Sequence, residues 1–254
     1  MPGDEIPVLY RDDHLVAVHK PAGLLVHRNA HAGREPFLLQ ILRDQLGQRL
    51  YPVHRLDRPT SGLMIMALSS QAAHTLALQF AGQQVAKTYL AVTRGFTPPQ
   101  GLIDNPLKSE SGAMQEAQTE FRLLATAEIP HPVGPNPTAR YSLLRVQPRT
   151  GRTHQIRRHF AHIRHPLIGD VLRGDGHQNR FFREYFGLHR LLLASVELTF
   201  RHPEDNSQMT LTCPPAQELL DLFARLGWSS AVRAWMPEEG QARWPTPTTM
   251  DRSD

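Results

Sequence analysis

A single cysteine in 254 residues, Cys213, excludes internal disulfides and any cysteine-based zinc cluster, and it fits a reducing compartment such as the cytoplasm. Long apolar runs are missing too. Stretches such as residues 62–68 fall far short of the roughly 20 residues that a membrane-spanning helix needs. Asp4 and Glu5 stand where a signal peptide would carry a basic end and an apolar stretch, so no export signal is expected. Lysine is scarce, 3 against 25 arginines, a bias that suits bidentate phosphate recognition but arises equally from genome composition.

What is present describes a globular chain. Apolar residues make up 40% and charged residues 20%, enough to bury a sizeable core in one large domain. The net charge of +4 is too small to demand a nucleic-acid partner, but its distribution is uneven. Residues 140–165 carry seven arginines and no acid, so this segment is +7 and the rest of the chain is −3. That segment is a candidate anion site.

Periodicity predicts strands at 8–10 and 15–19 as a hairpin, a buried strand over the continuous apolar run 63–68, and a strand at 87–92. In the last of these Thr88, Leu90 and Val92 share one face, and Lys87, Tyr89 and Ala91 the other. Further strands are expected at 119–124, 141–146 and 191–200, with a proline-rich loop at 130–137. Helices are expected from Phe37 to Leu46 with Gly47 as C-cap, from an N-cap at Ser70 to Gly82, from a cap at Thr153 to about His162, and after Pro215. Residues 169–183 read as a Gly-, Asp- and Arg-rich connection. Strands and helices are interspersed without regular alternation, so the fold class is α+β, as one domain over residues 1–235 with a poorly ordered polar tail at 236–254.

The chemistry concentrates in His54-Arg55-Leu56-Asp57-Arg58-Pro59-Thr60-Ser61-Gly62, directly before the buried strand. Asp57 would sit at the strand's mouth, where a rigid sheet aims it at a ligand. The same residues are also turn chemistry, with the carboxylate bonding nearby amides. His154, His159, His162 and His165 invite a metal reading, but their spacing does not place all four on one helical face and no acid lies among them. No metal site is expected.

The stretch from His54 to Gly62 resembles the active-site motif of the RluA family of pseudouridine synthases. Two more stretches match in the family's order: Lys87-Thr88-Tyr89-Leu90-Ala91, and Thr150-Gly151-Arg152-Thr153-His154-Gln155-Ile156-Arg157 running on through His159 to Gly169-Asp170. Lys20-Pro21-Ala22-Gly23 upstream and residues 190–193 downstream also fit. The resemblance implies a mainly antiparallel, mixed central sheet flanked by helices and loops around an active-site cleft. Some relatives carry an N-terminal S4 RNA-binding domain; with Asp57 so early, none is expected here. One departure stands out, since relatives usually have Leu-His-Ala where this chain has Leu193-Ala194-Ser195.

By this resemblance the protein isomerises uridine to pseudouridine without a cofactor. The bond from ribose C1′ to N1 breaks, the base turns, and C1′ joins C5. The resemblance makes Asp57 the catalytic carboxylate, acting by attack at C1′ or by removal of the C2′ proton. Arg157 is its cationic partner, and Tyr89 stacks on uracil. Ile156 packs on the base, Arg55 enters the RNA stack as the target base leaves it, and His54, Arg152 and Arg158 belong to the RNA-binding set. Each has a plainer alternative. Arg157 and Arg55 suit phosphate contacts, Tyr89 is also an ordinary strand tyrosine, and Ile156 also fits helix packing.

Weaker likenesses point to the branch of the family that acts on uridine 65 of tRNA. They are residues 157–166, the insertion from Ala125 to Glu128 leading to Tyr141, and Phe186-Gly187-Leu188. The expected partner is therefore tRNA, with no membrane and no obligatory protein partner. The rivals are the same chemistry on ribosomal RNA or another tRNA position, and a non-catalytic RNA-binding or RNA-folding protein.

Overall fold

The structure is a computed structural model and describes residues 5–27 and 35–236. The chain opens with strands β1 (Val8–Arg11) and β2 (Leu15–Lys20), then helix α1 (Leu38–Leu46), a short β3 (Tyr51–Pro52) and β4 (Ser61–Ala67). Helix α2 (Ser70–Ala81) leads into β5 (Ala86–Arg94), β6 (Gln100–Asp104), the small pair β7 (Leu107–Lys108) and β8 (Met114–Gln115), and the long hairpin β9 (Gln118–Ile129) and β10 (Ala139–Pro148). Helices α3 (Gln155–His162) and α4 (Gly176–Phe186), strands β11 (Leu193–Arg201) and β12 (Gln208–Thr212), and helices α5 (Gln217–Arg225) and α6 (Ser229–Trp235) complete it. No described helix is long and apolar enough to cross a membrane.

The main sheet runs β1-β2-β4-β11-β5-β10-β9-β6, with β12 on β11 and β3 on β4. Among the described strands only β4 with β11 is parallel; the other pairs are antiparallel. The α+β class and the mixed, mainly antiparallel sheet are as expected from sequence.

β4 shows why a continuous apolar run makes a central strand, because both of its faces are covered. Leu63, Ile65 and Ala67 pack with Ala72 and Leu76 of α2, while Met64 and Met66 pack with Leu38 and Leu42 of α1. In β5 the expected alternation holds. Leu90 and Val92 enter the core under α5 and α6, and Ala91 and Tyr89 face the cluster that holds Ile156 and Phe160 of α3.

Local details depart from the sequence expectations. The N-cap of α2 is Ser69 rather than Ser70: Ser69 is extended, and its hydroxyl accepts from the Ala72 amide at 3.1 Å. The entry to α3 is not capped by Thr153. His154 occupies that position in the left-handed region (φ 55°), and Gln155 Oε1 takes the Arg152 amide and the Thr150 hydroxyl. The connection at 169–183 contains α4, whose N-cap Asp175 accepts from the His177 and Gln178 amides. Phe181 and Phe182 give that helix its buried face, which Gly, Asp and Arg obscure in the composition. The last helix begins at Gln217, not Pro215, and is followed by α6. The tail expected at 236–254 lies, beyond Met236, outside the described residues.

Candidate active site

The loop between β3 and β4, the start of β5 and the first turn of α3 enclose a cleft of about 510 Å³. That is within the usual range of roughly 300–1,000 Å³ for small-ligand sites. Asp57, Tyr89, Arg157, Arg55, Ile156, His54 and Arg152, all expected from sequence, line it. Arg158 does not. Lys87 and His154 also face the cleft, and Asp57 is the one carboxylate among the described residues that line it.

Asp57 reaches the cleft because its loop turns tightly through backbone bonds. The Thr60 amide donates to the Asp57 carbonyl oxygen at 3.0 Å, so the turn uses the main chain and spares the carboxylate. This decides against turn capping by the side chain. The strand that follows is fixed by Gly62, at φ 107°, where a Cβ would lie 2.0 Å from the Ser195 carbonyl oxygen. Only glycine allows β4 to approach β11 so closely. Ser195 pairs with Gly62 on one side and with Tyr89 on the other, so the Ala194-Ser195 departure falls between the Asp57 loop and Tyr89.

Arg157 is not a surface charge. Its side chain is 3% exposed and bridges two carboxylates. Nε and Nη2 donate to Asp170 at 2.7 and 2.8 Å, and Nη1 donates to Asp57 Oδ2 at 3.3 Å. The Asp57 side chain is 18% exposed, and its Oδ1 makes no hydrogen bond among the described residues. Burial works against the charge on Arg157, but the bonds and charge of Asp170, and then Asp57, hold it protonated above the usual arginine value. Burial likewise opposes ionisation of Asp170; the Arg157 bonds and the Leu172 and Arg173 amides outweigh it and keep that carboxyl below its ordinary value.

Tyr89 is pushed above the ordinary tyrosine value by burial and then by the negative charge of Asp57, so its hydroxyl stays protonated at neutral pH. Ile156 is buried in the α3 core cluster, as the helix-packing reading has it, and also lines the cleft. His54 stacks on Phe80 with ring centroids 4.5 Å apart, and its Nε2 accepts from the Ile65 amide at 3.1 Å. Burial, aided by Lys87, depresses its pKa to about 3, so it is a neutral buttress joining the Asp57 loop to β4. Arg55 is exposed at the cleft. Arg152 Nε donates to the Glu116 carbonyl at 3.0 Å, and Arg158 Nη1 donates to the Lys108 carbonyl at 2.9 Å.

The +7 segment does not form one basic face. β10 sends Arg140 to Glu128, and Arg149, just beyond the strand, pairs with Glu120 of β9. Arg145 lies over Trp235, and Arg157 is neutralised inside. Within that segment, the arginines that line or flank the cleft are Arg152, Arg157 and Arg158. Three of the four histidines have separate partners. His154 stands 4.0 Å from Asp57, His159 bonds Thr119 and the Asn105 carbonyl, and His165 bonds the Arg94 carbonyl.

Two contributors escape the sequence reading. Asp170 is, along the chain, only the end of a motif. Lys20, fully buried, donates to the carbonyls of Pro21 (2.9 Å) and Arg58 (3.2 Å), pinning the residue next to Asp57. Burial and then Arg190 lower its pKa to about 7, against a smaller opposing pull from Asp57. The signal available is the Lys20-Pro21-Ala22-Gly23 match, which carries no hint of contact with Arg58.

The cleft thus joins one carboxylate, among the described residues that line it, to a buried arginine held from behind by a second carboxylate. Residues 14–162 match the family described as RNA pseudouridylate synthase, and the chain belongs to that family. Among its relatives is a protein named tRNA pseudouridine synthase C from Pasteurella multocida, 46% identical over 88% of this chain and 97% of that protein. Another with the same name, from Vibrio parahaemolyticus, is 44% identical over 90% of this chain and 98% of its own. Two solved human proteins share the fold. RNA Pseudouridylate Synthase Domain Containing 1 has a TM-score of 0.68 at 24% identity, covering 88% of this chain and 89% of its own. Domain Containing 4 has a TM-score of 0.65 at 25% identity, covering 87% and 93%.

Proposed function

We propose that this protein converts uridine to pseudouridine in tRNA, at position 65, with Asp57 as the catalytic carboxylate. The observation that carries the mechanism is the lone acid in the cleft. Glycosidases ordinarily need two carboxylates, one to protonate the leaving group and one to attack or to activate water. Here uracil leaves as a stabilised anion and returns through C5, so no second acid is required and water must be kept out. Attack at C1′ and removal of the C2′ proton both start from a carboxylate, and Arg157 supplies the adjacent positive charge while leaving Oδ1 open to the ribose.

Tyr89 and Ile156 would contact the extracted base, and Arg55 would occupy the stack it leaves. Arg152 and Arg158 would meet phosphates, and His54 would act through the shape of the loop. The reaction needs no metal or cofactor, and tRNA as substrate implies work in the cytoplasm. The tRNA substrate is supported by the relatives' names over nearly their whole length. Mapping pseudouridine in tRNA and ribosomal RNA from cells with and without the gene tests the assignment. Loss of the modification at tRNA position 65 supports it; loss only at another tRNA position or in ribosomal RNA replaces the substrate and keeps the chemistry.

A further inference from the structure

We propose that Ser195 is a positioning residue for Tyr89: with uridine in the cleft, its buried hydroxyl hydrogen-bonds the tyrosine hydroxyl and sets where the phenol stands against the extracted base. The inference rests on the reading of Tyr89 as a base contact above. Relatives usually have alanine at this position, so the hydroxyl is this chain's own addition. Strand β11 alternates its faces. Leu193 lines the cleft and Ala194 enters the core under α5 and α6, which turns Ser195 back to the side of Leu193. On that side Ser195 stands directly opposite Tyr89 of β5. Its neighbour on β4 is Gly62, which has no side chain to offer.

Ser195 is 1% exposed, and its Oγ has no hydrogen-bond partner among the described residues. Burying a hydroxyl without a partner is costly, and groups left so are rare enough to need a reason. The Tyr89 hydroxyl supplies one. Burial and then the charge of Asp57 push Tyr89 above its ordinary value, and the Ser195 hydroxyl is the group that pulls the other way, as a donor within reach of the phenol oxygen does. Bonds of this kind are often loose before substrate is bound and tighten once it packs the cleft. Ser195 itself does not line the cleft, so it acts through Tyr89 and not on the base.

Ser195→Ala installs the residue that relatives usually carry, so the fold should accept it. In single turnovers on tRNA with enzyme in excess, the saturated rate should fall about 3- to 10-fold, the loss of one ordinary hydrogen bond, while the half-saturating concentration stays within about twofold of wild type. The urea midpoint should hold or rise, because the variant removes an unpartnered buried hydroxyl. A packing role would instead lower the rate only together with stability. Tyr89→Phe should slow the reaction at least as much, and adding Ser195→Ala to it should cost less than about twofold. Asp57→Asn is measured beside them. With Asp57→Asn inactive, a wild-type rate or a lowered midpoint in Ser195→Ala, a faster Tyr89→Phe, or a multiplying fall in the double variant overturns the positioning role alone. An active Asp57→Asn overturns that role and the function reading together.

Discussion

Replacing Asp57 and replacing Arg157 should both abolish catalysis, yet they should cost stability very differently. In Asp57→Asn, Arg157 keeps its two bonds to Asp170 and loses one bond of 3.3 Å to a partly exposed group. The net loss for such a bond is about 1 kcal/mol. In Arg157→Met the methionine fills the space, but the Asp170 carboxylate remains 1% exposed with only the Leu172 and Arg173 amides as donors. Stranding one partner of a buried pair costs about 3–5 kcal/mol. With a denaturant slope of about 2 kcal/mol per molar urea, the midpoint should fall by about 0.5 M in the first variant and about 2 M in the second. Urea titrations followed by tryptophan fluorescence, on the same preparations used for activity, measure both shifts. Equal midpoints, or a larger fall for Asp57→Asn, would refute the unequal division of Arg157 between its carboxylates.

Three other outcomes follow from the same contacts. Gly62→Ala should destabilise by about 3 kcal/mol or more, since its Cβ would meet the Ser195 carbonyl at 2.0 Å in a positive-φ conformation; an unchanged thermal midpoint would contradict the close β4–β11 approach. Lys20 has a folded pKa of about 7 against an ordinary lysine value of 10.5, so between those values the unfolded chain holds a proton that the folded chain lacks. Its contribution to stability therefore rises with pH across that window, by up to about 1.4 kcal/mol per unit. The stability of the wild type relative to Lys20→Met should grow from about pH 7 to about pH 9 in urea titrations, and a constant difference would show that Lys20 titrates normally. Arg152→Gln should weaken tRNA binding and reduce the slope of log affinity against log salt by about one; an unchanged slope in filter binding would remove Arg152 from the phosphate contacts.

Residues that act through their neighbours in sequence were legible, and those that act through the fold were not. The apolar run in β4 and the alternation in β5 located the sheet, and the alternation put Tyr89 on the face that meets α3. Asp57 was readable from its motif, but whether its carboxylate served the turn depended on which oxygen the Thr60 amide chose. Asp170 lies on a loop 13 positions beyond Arg157 and reaches it only because the chain reverses after α3. Counting charge along residues 140–165 suggested one basic surface, whereas a strand alternates its faces and β9 supplies acids to two of the arginines. α4 was concealed because polar residues cover its exposed side while two phenylalanines carry its packing.

The central claim is that Asp57 performs the isomerisation. It is tested most directly by tritium release from tRNA carrying 5-tritiated uridine, comparing the wild-type chain with Asp57→Asn. The account predicts release by the wild type and none above background by the variant, with tRNA binding retained. Release by Asp57→Asn at the wild-type rate would contradict it.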